Sequence, residues 1–253
     1  GWTHEYIINT DMSWSELAQI DKRAYARKLQ AQEKMTILNN ATLTVDFHNE
    51  FNQGYQTAIF GADRDESSGQ FYTGDILLTG GTLHVIATDN SESYAIWNYL
   101  EYSPEITIKN TNLILDNYYT GFYFKSGVLN ISSDMGKGIT LNDTDYCFIL
   151  KGDSKVKLEN LITTFNNTNA QGIFITNNAT LNINKGNVDF SNVEHKGTAF
   201  ATRESSSITL EDNSIAINNF NQAFNLKGNS SVNFCGHQLK INNTPDRRNL
   251  NIV

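Results

Sequence analysis

Residues 120–145 read TGFYFKSGVLNISSDMGKGITLNDTD, a stretch holding three short runs in which apolar and polar side chains alternate. Thr120-Gly121-Phe122-Tyr123 opens it, Leu129 and Ile131 carry the second run, and Ile139 and Leu141 the third. Alternation with period two turns one side of each run toward a core and the other toward water, the pattern of a half-buried strand. Three strands within about 25 residues predict one triangular turn of a coil that stacks on copies of itself.

The same order recurs on both sides of this stretch. Ile96, Phe122, Phe148, Phe174, Phe200 and Phe224 follow one another at intervals of 26, 26, 26, 26 and 24 residues. Their runs are Tyr94-Ala95-Ile96-Trp97, Tyr146-Cys147-Phe148-Ile149, Gly172-Ile173-Phe174-Ile175, Thr198-Ala199-Phe200-Ala201 and Gln222-Ala223-Phe224-Asn225. A second column holds Ile106/Ile108, Leu129/Ile131, Val156/Leu158, Leu181/Ile183, Ile208/Leu210 and Val232/Phe234. A third holds Leu113/Leu115, Ile139/Leu141, Thr163/Phe165, Val188/Phe190, Ile215/Ile217 and Leu239/Ile241. Just beyond the third column come Asn117, Asp143, Asn167, Asn192, Asn219 and Asn243, residue types that tolerate the left-handed backbone of a tight corner. Stacked amides there can bond along the column.

Upstream, Ala58-Ile59-Phe60, Ile76-Leu77-Leu78 and Leu83-His84-Val85 form one more coil, interrupted by an insertion over Gly61 to Gly74. Leu43, Val45 and Phe47 resemble a third-column strand. Before them, Ser13-Trp14-Ser15-Glu16-Leu17 starts with helix-capping chemistry, and Ile20, Ala24, Tyr25 and Leu29 continue at helical spacing. A helix there would cover the open first coil, whose edge otherwise invites association. The expected fold is all-β: a right-handed, three-faced parallel β-helix with an N-terminal capping helix. Residues 1–35 would form the cap and 36–253 the solenoid, one structural domain overall.

Composition narrows the function. The chain has 253 residues and a formal charge of −8, which disfavours nucleic-acid binding through a basic surface. No apolar run approaches the ~20 residues of a membrane-spanning helix. Two cysteines, Cys147 and Cys235, cannot build a disulfide framework. The first residue, Gly1, and the abrupt ending read as a fragment of a longer protein.

One outward column follows the aromatic series: Trp97, Tyr123, Ile149, Ile175, Ala201 and Asn225. Two positions on runs a second, Tyr99, Lys125, Lys151, Asn177, Arg203 and Lys227, with Tyr102 and Tyr118-Tyr119 on neighbouring loops. Apolar side chains on a solvent face and a basic stripe in an acidic protein call for a partner. Trp97, Tyr99 and Tyr123 suit stacking on sugar rings, while Lys125, Lys151, Arg203 and Lys227 suit carboxylates or sulfates. The alternative is that the long basic side chains cover the sheet edge and the aromatics pack under a loop, with Trp97 favouring the groove.

Catalysis has weaker support. A lyase needs carboxylates converging on Ca²⁺ beside a base, and a hydrolase needs a carboxylate pair. Glu159 and Glu211 share a column two coils apart, with no cation or histidine in register beside them. The five histidines, His4, His48, His84, His195 and His237, form no pair at metal-ligand spacing. The reading therefore calls for no metal and no cofactor, with a polysaccharide lyase or hydrolase of the β-helix type as the alternative.

With its coil repeat, corner asparagines, the opening Trp14-Ser15-Glu16-Leu17 and the segment Lys34-Met35-Thr36-Ile37-Leu38-Asn39-Asn40, the chain resembles a known group. These are the pectate-lyase-like β-solenoid binding regions of Gram-positive, lactobacillus-type surface adhesins, including serine-rich repeat and epithelium-binding adhesins. The resemblance spans residues 13–245 and is one of pattern. It implies an extracellular, cell-wall-attached adhesin module, a monomer within a larger surface protein. It also implies host or matrix glycans as partners, of acidic polysaccharide, mucin or glycosaminoglycan type. A structural stalk or a binder of a protein receptor is the remaining alternative.

Overall fold

Alternating side chains need a second surface to bury their apolar set, and here each coil is buried against the interior of the same tube. The computed structural model describes residues 1–50, 56–88, 92–99 and 103–246. It is a parallel β-solenoid of about 9 turns, 58% strand and 5% helix. One face stacks strands His4–Ile8, Glu33–Ile37, Ile76–Thr79, Glu105–Lys109 and Val128–Ser132, each parallel to the next. The next face stacks Thr42–Asp46, Thr82–Ile86 and Asn112–Asp116 in the same manner. On the remaining face, here the first, Ile59–Phe60, Tyr94–Asn98 and Thr120–Phe124 lead to Thr198–Thr202 and Gln222–Leu226. In the middle of the stack the faces join without a break, in the long strands Gly138–Leu150 and Lys155–Ile175.

The interior is a set of ladders. Ile106, Leu129, Val156, Leu181 and Ile208 follow one another in register, all buried. Phe122 stacks on Phe148 with ring centroids 4.3 Å apart, and Phe200 stacks on Phe224 at 5.2 Å. Beside them runs a column of small buried side chains, Ala95, Gly121, Cys147, Gly172, Ala199 and Ala223. A Cβ on Gly172 would lie 2.4 Å from the Phe190 ring, so the smallest residue leaves room for a large ring.

In one coil the register departs from the expected repeat. Phe148 pairs with Ile173, and Ile173 with Phe200, so Phe174 lies outside the core, opposite Ile149 and Ala201. The pairing shifts by one between Thr144↔Thr168 and Tyr146↔Gln171. A shift of one residue exchanges the two sides of a strand. Ile175, expected outside, is therefore fully buried. Thr176 takes the place beside Lys151 that the sequence reading gave to Asn177, and Asn177 sits at a corner with φ 59°.

Corner residues Asn117, Asp143, Asn167, Asn219 and Asn243 all adopt positive φ, as expected; Asn192 does not. Asn192 is instead buried, and its Oδ1 accepts from the Thr168 backbone N–H at 2.7 Å. Asn167 Nδ2 donates to Asp143 Oδ1 at 2.7 Å, and Asn243 Nδ2 to Asn219 Oδ1 at 2.7 Å. One position earlier, Asn166 Nδ2 donates to Asn142 Oδ1 at 2.9 Å and Asn142 Nδ2 to Asp116 Oδ1 at 2.8 Å.

The stack begins well before residue 36. His4–Ile8 and Met12–Ser13 pair with strands of the next coil, so part of the expected cap is solenoid. The helix covers only Trp14–Ile20, followed by a 3-10 turn over Lys22–Ala26. Asp21 separates them: its extended backbone ends the first, and its carboxylate accepts from Arg23 N–H to start the second. Ser13 and Glu16 form a reciprocal capping box, each bond 3.1 Å, and Trp14 and Leu17 are buried beneath it. Ser13→Ala should cost about 1 kcal/mol. The loss would be read as faster hydrogen exchange in residues 14–20, with the distal coils unchanged.

The insertion forms an antiparallel hairpin of Ala62–Arg64 and Phe71–Thr73. Asp63 ties it to the N-terminal turn, accepting from Arg23, from Gln30 Nε2 at 3.1 Å and from Tyr72 Oη at 3.2 Å. Arg23 Nε also meets Glu33 Oε2 at 2.6 Å, and the Glu33 side chain is fully buried.

A tyrosine-lined groove on the first face

The register sets which side chains line up along the first face. Phe60, Trp97, Tyr123, Ile149, Phe174, Ala201 and Asn225 form one column across adjacent coils. Tyr94, Thr120, Tyr146 and Gln171 form the column before it. The column after it follows from the bonds Lys125 N–H to Asn98 O, Lys151 N–H to Phe124 O and Lys227 N–H to Thr202 O.

Between these columns lies a groove of about 310 Å³. Tyr94, Tyr119, Tyr123 and Tyr146 wall it, with Ile149 and Phe174 supplying apolar surface. Glu92, Lys151 and Gln171 add its polar groups. The groove crosses four coils, a span of about 14 Å at strand spacing. Tyr94 and Tyr123 lie 4.8 Å apart by ring centroid, and Tyr119 and Tyr146 5.5 Å. On the N-terminal side the rings continue: Phe60 to Trp97 at 4.9 Å and Trp97 to Tyr99 at 5.5 Å.

Burial raises the hydroxyl pKa of Tyr119 and Tyr123 above the usual phenol value. Burial also raises that of Tyr94, reinforced by its 2.8 Å bond to Glu92 Oε1. All three stay protonated at neutral pH and act as donors.

Cations lie over several of these rings. Lys125 Nζ is 4.3 Å from the Tyr99 centroid, Lys151 Nζ 5.6 Å from that of Tyr123, and Lys28 Nζ 5.9 Å from that of Phe60. The Arg203 guanidinium lies 5.9 Å from the Phe174 centroid and donates to Thr202 O and Asn225 O, each at 2.9 Å.

Of the residues singled out from sequence, Tyr123 and Lys151 line the groove, while Trp97, Tyr99 and Lys125 form the adjoining ring cluster. Arg203 is committed to backbone carbonyls, and Lys227 is exposed one coil further on. Tyr118 is buried, its hydroxyl donating to Gln56 O, and Tyr102 lies outside the described residues. Sequence reasoning missed Tyr94, Tyr146, Gln171 and Phe174. The first two stand two places before the core residues Ile96 and Phe148, a column that the in-out alternation does not single out.

Polar clusters elsewhere were also missed. His84 Nε2 meets Asp116 Oδ2 at 2.6 Å. Burial acts to raise the Asp116 pKa, but the bonds from His84 and Asn142 outweigh it and hold the carboxyl below its ordinary value. Glu159, read as lacking a cation nearby, shares a groove of about 350 Å³ with Lys109 and Lys185. Lys109 stands in the same ladder, through Ser132. Among the described residues no three His, Cys, Asp or Glu side chains are placed to hold a metal. Among them, too, no helix is long and apolar enough to cross a membrane.

Fold and site together define a parallel β-solenoid with a tyrosine-lined groove along one face that also carries Glu92 and Lys151. No protein-family model matches the chain, and neither a curated protein nor a solved structure does.

Proposed function

We propose that this chain is a non-catalytic adhesin module of an extracellular bacterial surface protein, holding an extended acidic glycan along the first face. The observation that supports this most is the groove, where protonated tyrosines, apolar ring surface and Lys151 converge across four coils of an acidic protein. Sugars present apolar C–H faces to aromatic rings and hydroxyls to polar donors, and uronate carboxylates suit an ammonium. Among the described residues the groove brings a single carboxylate, Glu92, where a hydrolase uses two.

Binding of the purified chain to a glycan array at low and high salt tests the reading. Acidic chains should bind and fade as salt screens the lysines. Lys125→Ala and Lys151→Ala should each weaken binding by up to about five-fold. Tyr123→Ala should weaken it at every salt concentration. Salt-independent binding, or no binding by a folded chain, counts against the proposal. Release of unsaturated uronate products would replace it with a lyase.

A further inference from the structure

The cations over the rings bear on which glycans the groove accepts. We propose that Lys151, with Lys125 beside it, is a specificity gate. In the free protein each ammonium covers the aromatic face on which a sugar would stack, and a carboxylate-bearing glycan draws it aside. The inference rests on the acidic-glycan reading and concerns the same groove.

The geometry carries it. Lys151 Nζ lies over Tyr123 at 5.6 Å, and Lys125 Nζ over Tyr99 at 4.3 Å. Further sides of those rings are already occupied, Tyr123 by Tyr94 at 4.8 Å and Tyr99 by Trp97 at 5.5 Å. The lysines therefore hold ring surface that a ligand would need. Neither lysine is ion-paired among the described residues, so an incoming carboxylate displaces no acidic partner. Arg203 stands to Phe174 as Lys151 stands to Tyr123, but its bonds to Thr202 O and Asn225 O hold it in place. Gating therefore belongs to the lysines.

A neutral sugar must dislodge the ammonium and gains no charge contact in exchange. An acidic sugar moves the ammonium onto its own carboxylate and then stacks on the bared ring. Removing one lysine should strengthen binding of an uncharged glycan by about two- to five-fold per ring uncovered. The same change should weaken binding of its charged counterpart.

Calorimetric titration of the full chain with a uronic-acid hexasaccharide and its fully methyl-esterified form measures this directly. Wild type should prefer the free acid. Lys151→Ala should bind the ester two- to five-fold more tightly than wild type, and the acid more weakly. Ester affinity that stays level or falls in Lys151→Ala overturns the gate while leaving the acidic-glycan reading intact. A second measurement needs no ligand. Ring current should shift the Lys151 ε-methylene proton resonances upfield of those of Lys227, and Tyr123→Leu should abolish the shift. Lys151 resonances at the Lys227 position overturn the gate on their own. A clear shift without binding of either sugar by any variant overturns the glycan reading, and the gate with it.

Discussion

Phe148→Ala is expected to destabilise the solenoid by about 3–5 kcal/mol. The ring is fully buried, lies nearly parallel to Phe122 at 4.3 Å and meets the edge of Phe165 at 6.1 Å. The strand is paired on both sides, to the coils of Phe122 and Ile173, so the backbone cannot close over the lost volume. Phe174→Ala, one coil on, should cost about 1 kcal/mol or less, because that ring is only half-buried and faces outward. Urea unfolding of the two variants side by side gives both numbers. Equal losses would mean that the 26-residue spacing, and not the shifted pairing, describes the core.

Arg23→Met is expected to cost about 3 kcal/mol at neutral pH, by leaving the buried Glu33 carboxylate without its cation. Asp63 loses the same partner, so the hairpin should loosen together with the first coil. The effect depends on pH. Burial raises the Glu33 pKa, while Arg23 and the Gln30 backbone N–H pull it down. A carboxyl with a raised folded-state pKa favours folding most when protonated, below the unfolded value of about 4.3. That advantage is lost as pH rises through the folded value. Removing Arg23 lifts the folded value further, so the deficit should be largest at neutral pH and shrink on mild acidification. Hydrogen exchange of His4–Ile8 and Glu33–Ile37 at two pH values reads it locally. A deficit that grows toward acid would contradict the assignment.

The solenoid was legible because nearly every coil repeats the same in-out alternation, and apolar pairs, mostly Leu, Ile and Val, mark the second and third faces. Phe174 was misplaced for a physical reason. An aromatic beside a β-branched residue fits either side of a strand when the rings outside are also aromatic. Parity is then set by the pairing at Thr144 and Tyr146 and not by side-chain type. His4–Ile8 was missed because its alternation is a single short strand next to a strong helix-capping signal. The lysines on the first face could be read from register alone. Their seats over Tyr99 and Tyr123 could not, nor could the meeting of Arg23, Glu33 and Asp63 across 40 positions of chain.

The ladders at the corner after the third column also give that edge of the tube an electrical direction. Asn142 and Asn166 each send their amide hydrogen toward the coil before, as do Asn167, Asn169 and Asn218. Dipoles so aligned add, leaving a partial positive charge at the N-terminal end of each line, as in a helix. Those ends are met by Asp116, Asp143, Asp145 and Asp189, side chains that accept and cannot pass the bond onward when ionised. These four lines are thus neutralised within the coil where they stop, while the Asn243–Asn219 line ends on the Asn192 backbone carbonyl. The side chains form a set of short, separately terminated wires, so a change in one coil need not disturb the polarity of the next.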